Sequence, residues 1–586
     1  MKFDFRSVAL LPVVLMITVG ACKKKESGGG GTVLPPVSTV DSVYNPTDPA
    51  VAATIGFFIN GNGWLAKTFA APDTVSGTVT TLAATDSLTI NLNNVITKVP
   101  RYVFGNNSNL WMGQIVTQPA LMQYLKDLSP NIIRAPAGSV SDVYFWNGTD
   151  ANPKPADAPA TVLDASGNAS ATGWAWYGGN AASWTFSLAN YYTMLSQTNS
   201  TGIITVNYGY ARYGTSANPV AAAAHLAADW VRYDNGRTKF WEIGNENFGS
   251  WEAGYNIDQT QNKDGQPKLL TGALYGNHFK VFCDSMRAAA TQIGKTIYIG
   301  AVIYQTAPQS YDVATTQTWN IGVLQNAGAT ADYFIVHDYF TGYATNSSVN
   351  DILGTSKTVP AADMAYVKGQ MSAAGVAIKP LAFTEWNIQA TGSKQNVSYI
   401  AGMHAAKTIG AIIKNQFGQA SRWDLANGWD NGDDQGLFNS GNEPGAPLWN
   451  PRPAYFYMYY FQKFFGDRMV YDTLKAINGD LTTYSSTFSS GQPGTVIVNS
   501  GVANHVVTID YQHFPAGNRY YWYVLTGGTD NGNFSGQVYV NGTGPSTATG
   551  GPQNYATLKA YTAPLKGTLK VLVPGLSVVY LVAEKK

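Results

Sequence analysis

Between residues 100 and 430 the chain repeats one pattern eight times: a short apolar, β-branched run, then a stretch with helical apolar spacing. The runs lie at 102–105, 131–134, 202–207, 239–244, 296–300, 333–337, 380–384 and 422–426. Helical spacing is clearest at 221–231 and 274–290. Strands joined through helices return in the same direction and pair in parallel. Eight such units close most simply into a (β/α)8 TIM barrel. No glycine-rich phosphate loop follows any run, which disfavours a doubly wound nucleotide-binding sheet.

The flanks read differently. At 586 residues the chain exceeds one ordinary domain. Residues 51–99 carry short strand-like runs, with clean alternation at 87–92, and form an accessory β segment. The barrel is expected over 100–465. After 465 the helical spacing stops, and alternating runs at 495–499, 520–525 and 576–582 predict a C-terminal antiparallel β-sandwich over 466–586. The fold class expected is therefore α/β, a TIM barrel with a C-terminal β-sandwich.

At the N-terminus, Lys2 and Arg6 precede an apolar run at 8–19, and Val19-Gly-Ala-Cys22 follows. The run is shorter than the roughly 20 residues a membrane span needs. It resembles a bacterial lipoprotein signal: residues 1–21 would be removed and Cys22 lipidated. Residues 22–50, rich in Lys, Gly, Ser and Pro, read as a flexible tether. The implied location is the cell envelope, at the outer membrane, held by the lipid on Cys22. Cys283 is the only other cysteine, so no internal disulfide and no cysteine-based zinc site can form.

Charged residues make up only 12% of the chain and nearly balance, which argues against a nucleic-acid partner. The 35 tyrosines and 15 tryptophans point another way, since aromatic faces beside amides and hydroxyls suit sugar rings. Two glutamates sharpen this. Glu246 closes Lys239-Phe-Trp-Glu-Ile-Gly-Asn-Glu246, at the fourth run, and Glu385 closes Lys379-Pro-Leu-Ala-Phe-Thr-Glu385, at the seventh. Carboxylates at the C-terminal ends of barrel strands are placed for chemistry rather than stability. A facing pair suits glycosidic cleavage, in which one carboxyl protonates the leaving oxygen and the other acts at the anomeric carbon.

With these residues in view the chain resembles the clan A (β/α)8 retaining glycoside hydrolases. Trp241-Glu-Ile-Gly-Asn-Glu-Asn-Phe-Gly-Ser-Trp251 and Thr384-Glu-Trp-Asn387 are most similar to family 51 α-L-arabinofuranosidases, supported by Arg134-Ala-Pro-Ala-Gly138 and Val336-His-Asp-Tyr339. The resemblance implies Glu246 as acid/base and Glu385 as nucleophile of a double displacement. It implies Asn245 on the sugar hydroxyl beside the anomeric carbon, and Arg134 and His337 holding the Glu385 carboxylate. Tyr339, Trp386 and Trp251 would line the sugar site. Glu246 should have a raised pKa, from burial and from the charge of Glu385. No metal and no organic cofactor is implied, because two carboxylates suffice.

The chain departs from family 51 in two places. Ala137 stands where paired glycines are usual, and the first run ends Phe104-Gly-Asn-Asn-Ser-Asn109 without an acidic-His ending. Both border the sugar pocket. They keep open a clan A agarase- or porphyranase-type hydrolase of marine galactans. A non-catalytic glycan-binding surface lipoprotein is a rival from another class, though both carboxylates are present. A polysaccharide lyase would need a different base and fold. Glu242 is expected lower in the barrel as a structural partner, Trp111, Trp146 and Trp176 near its mouth, and 430–434 as a solvated turn rather than a calcium loop.

Overall fold

The computed structural model describes residues 43–586, apart from Asn62, Ala390 and 531–534. The lipoprotein signal, Cys22 and most of the tether lie outside the described residues.

Eight parallel strands close into a barrel. They are β1 (Gly105–Asn107), β2 (Ile132–Ala135), β3 (Thr201–Val206), β4 (Phe240–Ile243), β5 (Tyr298–Val302), β6 (Tyr333–Tyr339), β7 (Leu381–Asn387) and β8 (Gln419–Arg422). The sixth and seventh runs extend beyond their predicted ends. Two predicted runs are displaced. The first stretch, 102–105, supplies one 3-10 turn, Arg101–Val103, and the strand begins at Gly105. A Cβ there would lie 2.4 Å from the Ala420 carbonyl oxygen, so glycine lets β1 close against β8. The eighth strand is Gln419–Arg422 rather than 422–426. Its polar sequence hides it from a search for apolar runs, because Gln419 and Ser421 hydrogen-bond each other inside the barrel.

The N-terminal end of the barrel is plugged. Helix Gly56–Asn60 brings Phe57 onto Tyr298, with centroids 4.0 Å apart and rings nearly parallel, and Phe58 onto Phe240 and Tyr333. These partners begin β5, β4 and β6. Residues 51–61 therefore belong to the barrel floor rather than to the accessory β segment. Residues 43–50, read as the end of a tether, are also packed: Asp48 bridges Lys98 at 3.3 Å and Arg468 at 2.6 Å.

The second structural layer is an eleven-stranded sheet curled over its own core. Strand Asp86–Lys98 buries Leu88, Ile90 and Leu92 there, with the alternation that its sequence showed. It lies between Arg468–Lys475, antiparallel, and His505–Gln512, parallel. Thr74–Ser76 pairs in parallel with Ala560–Pro564. The sandwich is thus mixed, not wholly antiparallel, because N-terminal strands enter it from the other side of the barrel sequence. Cys283 is fully buried in helix Gly272–Gln292. Among the described residues no helix is long and apolar enough to cross a membrane.

Candidate active site

Arg134, near the end of β2 and fully buried, is the hub of the open end of the barrel. Its Nε donates to Glu242 Oε2 at 2.6 Å, Nη1 to Glu385 Oε1 at 2.7 Å and to Asn107 Oδ1 at 3.2 Å, and Nη2 to Asn245 Oδ1 at 2.9 Å. Burial opposes its charge, but Glu242 and Glu385 outweigh it and hold the guanidinium protonated more firmly than usual. Glu242 also accepts from Thr205 at 2.9 Å, and so serves as a buried structural partner. Asn107, from the first run that departs from the family pattern, ties the hub to β7 and β8 through the Thr384 and Ser421 carbonyls.

Glu385 is set by an irregularity in β7. The pairing with β6 passes from Val336–Phe383 to His337–Glu385, skipping Thr384. Thr384 instead meets His337 Nε2 through its hydroxyl at 2.8 Å. The Glu385 carboxylate accepts from Arg134 on one oxygen and from the Tyr339 hydroxyl on the other, at 2.8 Å. His337 lies nearer the second glutamate: its Nδ1 is 2.9 Å from Glu246 Oε1 and 3.7 Å from Glu385 Oε1. Trp386 corrects an expectation. Successive strand residues face opposite sides, so with Glu385 pointing inward Trp386 points under the helix Tyr399–Lys414, beside His404 and 1% exposed. It is core, not a sugar platform.

Glu246 lies three residues beyond β4, in a turn with φ +41°. Gly244 starts that turn at φ +76°, where a Cβ would also meet the Asn247 amide at 2.0 Å. Trp251 Nε1 donates to Glu246 Oε2 at 3.1 Å. The turn is braced by two buried carboxyls that sequence reasoning missed. Asp142 accepts from the backbone N–H groups of Tyr208, Gly209 and Asn245 and from the Asn247 amide. Glu252 accepts from Asn245 Nδ2 at 2.9 Å and from Ser139 at 2.8 Å. Burial raises both, Asp142 to about 7, and Glu252 is raised further by the charges of Asp142 and Glu246. Both lie in connections after barrel strands, Asp142 in the 3-10 turn Ser139–Val143 that follows β2, and nothing in their local sequence singles them out.

The two hydrogen bonds to Glu252 make a prediction. Glu252→Gln should keep near-normal activity, since the amide oxygen still accepts from Asn245 and Ser139. Glu252→Ala should lower kcat/KM roughly 100-fold by freeing Asn245. Equal losses in both variants would remove Glu252 from the positioning of Asn245.

Burial also pushes the Glu246 carboxyl up. The hydrogen bond and charge of His337 outweigh it, with help from Trp251 and Arg134, so the group sits below its ordinary range. The expected rise is thus reversed, because the imidazole faces Glu246 rather than Glu385.

These groups open into a cleft of about 810 Å³. Asn245, Glu246, Trp251, His337, Tyr339 and Glu385 line it, with Trp111 and Trp423. Trp423 packs on Gly138, where a Cβ would come within 2.7 Å of the indole. Trp146 is instead structural, stacked on Trp230 with its N–H on the Leu226 carbonyl. Asp434 is not a solvated turn residue: it is buried and ion-paired with Arg452. Glu246, His337 and Glu385 each offer a ligating atom within 4.8 Å of the others. A metal ion there would compete with Arg134 for the Glu385 carboxylate.

Solved structures share this architecture. An α-L-arabinofuranosidase from Thermotoga maritima, in complex with arabinose, matches 85% of this chain and 99% of its own, with a TM-score of 0.59 and 16% identity. A family 51 α-L-arabinofuranosidase from Bifidobacterium longum matches 86% and 100%, with a TM-score of 0.59 and 14% identity. What is shared is the fold, a closed (β/α)8 barrel with a curled β-sheet layer. A family 44 xyloglucanase from Paenibacillus polymyxa matches 86% of this chain and 100% of its own at a TM-score of 0.53 and 11% identity. No family model matches the sequence, and no curated protein does. At such identities the likeness is one of architecture, and the chemistry must be argued from the side chains.

Proposed function

We propose that the protein is a retaining glycoside hydrolase acting on a neutral plant or algal glycan, with α-L-arabinofuranosidase-like action as the leading form. The observation that carries this is the pair Glu246 and Glu385, facing each other at the barrel mouth within 4.8 Å. Glu385, held by Arg134 and Tyr339, attacks the anomeric carbon as a carboxylate. Glu246 gives its proton to the leaving oxygen, then takes one from the water that releases the sugar. Asn245 retains one amide hydrogen for the sugar hydroxyl, since Glu252 takes only the other.

Charge narrows the substrate. Among the described residues lining the cleft none is Lys or Arg, whereas Glu246, Asp338 and Glu385 are acidic. The lining therefore offers the sulfate of a galactan or the carboxylate of a uronate no lysine or arginine to pair with. This disfavours the porphyranase form of the marine-galactan reading and leaves agarose. A glycan-binding role without catalysis would not require the Arg134–Glu385–Tyr339 arrangement. Proton NMR of the products from an aryl α-L-arabinofuranoside, arabinan, arabinoxylan and agarose tests the proposal. Retention at the anomeric centre is expected; inversion, or no hydrolysis on the panel, would overturn it.

The His337–Glu246 pair predicts a pH dependence. Glu246 must be protonated to act as the acid, so activity falls as pH rises through its pKa. His337 lowers that pKa most. In His337→Ala the basic limb of the kcat/KM profile should therefore move to higher pH. A limb that stays in place would dissociate His337 from the acid.

We also propose that lipid on Cys22 tethers the enzyme to the outer membrane. The charged and apolar leader before it supports this, and mass spectrometry of the mature N-terminus tests it: an unmodified Cys22 would rule it out.

A further inference from the structure

A row of tryptophans leaves the catalytic cleft and climbs to the surface. Trp423 and Trp111 both line the cleft, with ring centroids 6.4 Å apart. Trp111 lies 6.3 Å from Trp176, and Trp176 lies 5.6 Å from Trp184. Exposure rises along the row, from 8% at Trp423, through the half-buried Trp111 and Trp176, to 57% at Trp184. Neighbouring rings meet at interplanar angles of 56°, 62° and 76°. In such tilted and edge contacts at most one of the two rings has a face covered by the other, whereas stacking covers a face of both. The packed pair Trp146 and Trp230, at 16°, shows the opposite arrangement.

The turn that carries the outermost indole is braced. The Gly113 N–H donates to the Trp184 carbonyl at 3.2 Å, and Gln114 Nε2 to the Ala182 carbonyl at 3.0 Å. Thr185 closes the same turn on the Ala182 carbonyl, and Trp111 is fixed by Asn427 at 3.0 Å. Trp184 is not an isolated exposed aromatic: with Trp176, Trp111 and Trp423 it makes a contiguous apolar row that runs into the cleft, as ligand grooves do.

We propose that Trp111, Trp176 and Trp184 form successive sugar-binding subsites, which seat a neutral polysaccharide chain running out of the cleft. The identity of the ligand rests on the hydrolase reading above, and the row deepens it: the substrate is a polymer held over several residues, not a single terminal sugar. The shared residue Trp111 makes the row continuous with the catalytic cleft. The absence of Lys and Arg from the described cleft lining matches an uncharged chain, which binds through C–H faces on indoles rather than through ion pairs.

The test uses the full chain with Glu385→Gln, so that binding is read without turnover. Affinity electrophoresis in gels containing linear arabinan, arabinoxylan, xyloglucan or agarose should retard it with at least one polymer. Adding Trp184→Ala should raise the apparent Kd roughly tenfold, and Trp184→Phe should restore most of the affinity. Trp184 is exposed, so the variant should fold, as an unchanged Tm would verify. Retardation independent of Trp184, or none with any polymer, overturns the row. Hydrolysis of the aryl glycoside and of the same polymers by the unaltered enzyme is scored separately. Trp184-dependent binding without hydrolysis would retain the row and sink the hydrolase reading; hydrolysis with Trp184-independent binding would do the reverse.

Discussion

Glu385→Gln is expected to reduce turnover on every substrate by on the order of 10⁵-fold, as loss of a covalent nucleophile does. The substitution isolates chemistry from folding. A glutamine keeps an acceptor for Arg134 Nη1, and its amide can donate to the Tyr339 hydroxyl. Arg134 retains Glu242, Asn107 and Asn245. The variant should thus melt close to the parent while its initial rates on an aryl glycoside and on a polymer fall together. Arg134→Met would behave differently. It leaves Glu242 and Glu385 buried without their cation, a defect that costs about 3–5 kcal/mol, so its loss of activity would arrive with a large drop in Tm. Residual activity above a few per cent in Glu385→Gln, at unchanged Tm, would remove Glu385 from the nucleophile role.

The barrel was legible because its signal is periodic. Buried parallel strands are apolar on both faces, and six of the eight runs overlap a strand closely. The first and last were displaced for one reason. Where β8 meets β1 the barrel interior is filled with polar side chains, Asn107, Gln419 and Ser421, all buried. A search for apolar runs slides past such strands to the nearest hydrophobic residues. The parallel pairings of Thr74–Ser76 and Asp86–Lys98 were hidden differently, since they join segments hundreds of residues apart. The aromatic plug at Phe57 and Phe58 carried no signal beyond hydrophobicity.

The two glutamates stood out because each ends an apolar run, where a carboxylate is unexpected. The groups that set their properties did not. One skipped residue in the β6–β7 pairing decides that His337 lies opposite Glu385 and that Trp386 turns into the core, and no local sequence reports a register. With His337 on Glu246, the electrostatic expectation for that carboxyl reverses sign. Asp142, Glu252 and Trp184 come from connections after barrel strands, where position depends on packing against other connections rather than on periodicity.

Glu246→Ala should separate the two chemical steps. Without an acid, cleavage of a glycoside with a poor leaving group, such as a polysaccharide, should slow by about 10²–10⁴-fold. A dinitrophenyl glycoside needs no protonation of its leaving oxygen, so Glu385 can still form the glycosyl-enzyme. Water then attacks slowly for want of a base, and the intermediate accumulates as a burst of phenolate followed by a slow steady state. Azide carries its own charge and needs no base. It fits the space left by the carboxylate and attacks the anomeric carbon, expelling Glu385, so added azide should raise the steady-state rate and yield a glycosyl azide of retained configuration. The scaffold should survive, because His337 keeps Thr384 and Trp251 is exposed. If azide rescued Glu385→Ala with retained configuration instead, the roles of the two glutamates would be exchanged. The hub argues against that outcome: Arg134 and Tyr339 fix one oxygen each of the Glu385 carboxylate at 2.7 and 2.8 Å, whereas Glu246 sits on a turn beyond its strand with His337 and Trp251 on its oxygens.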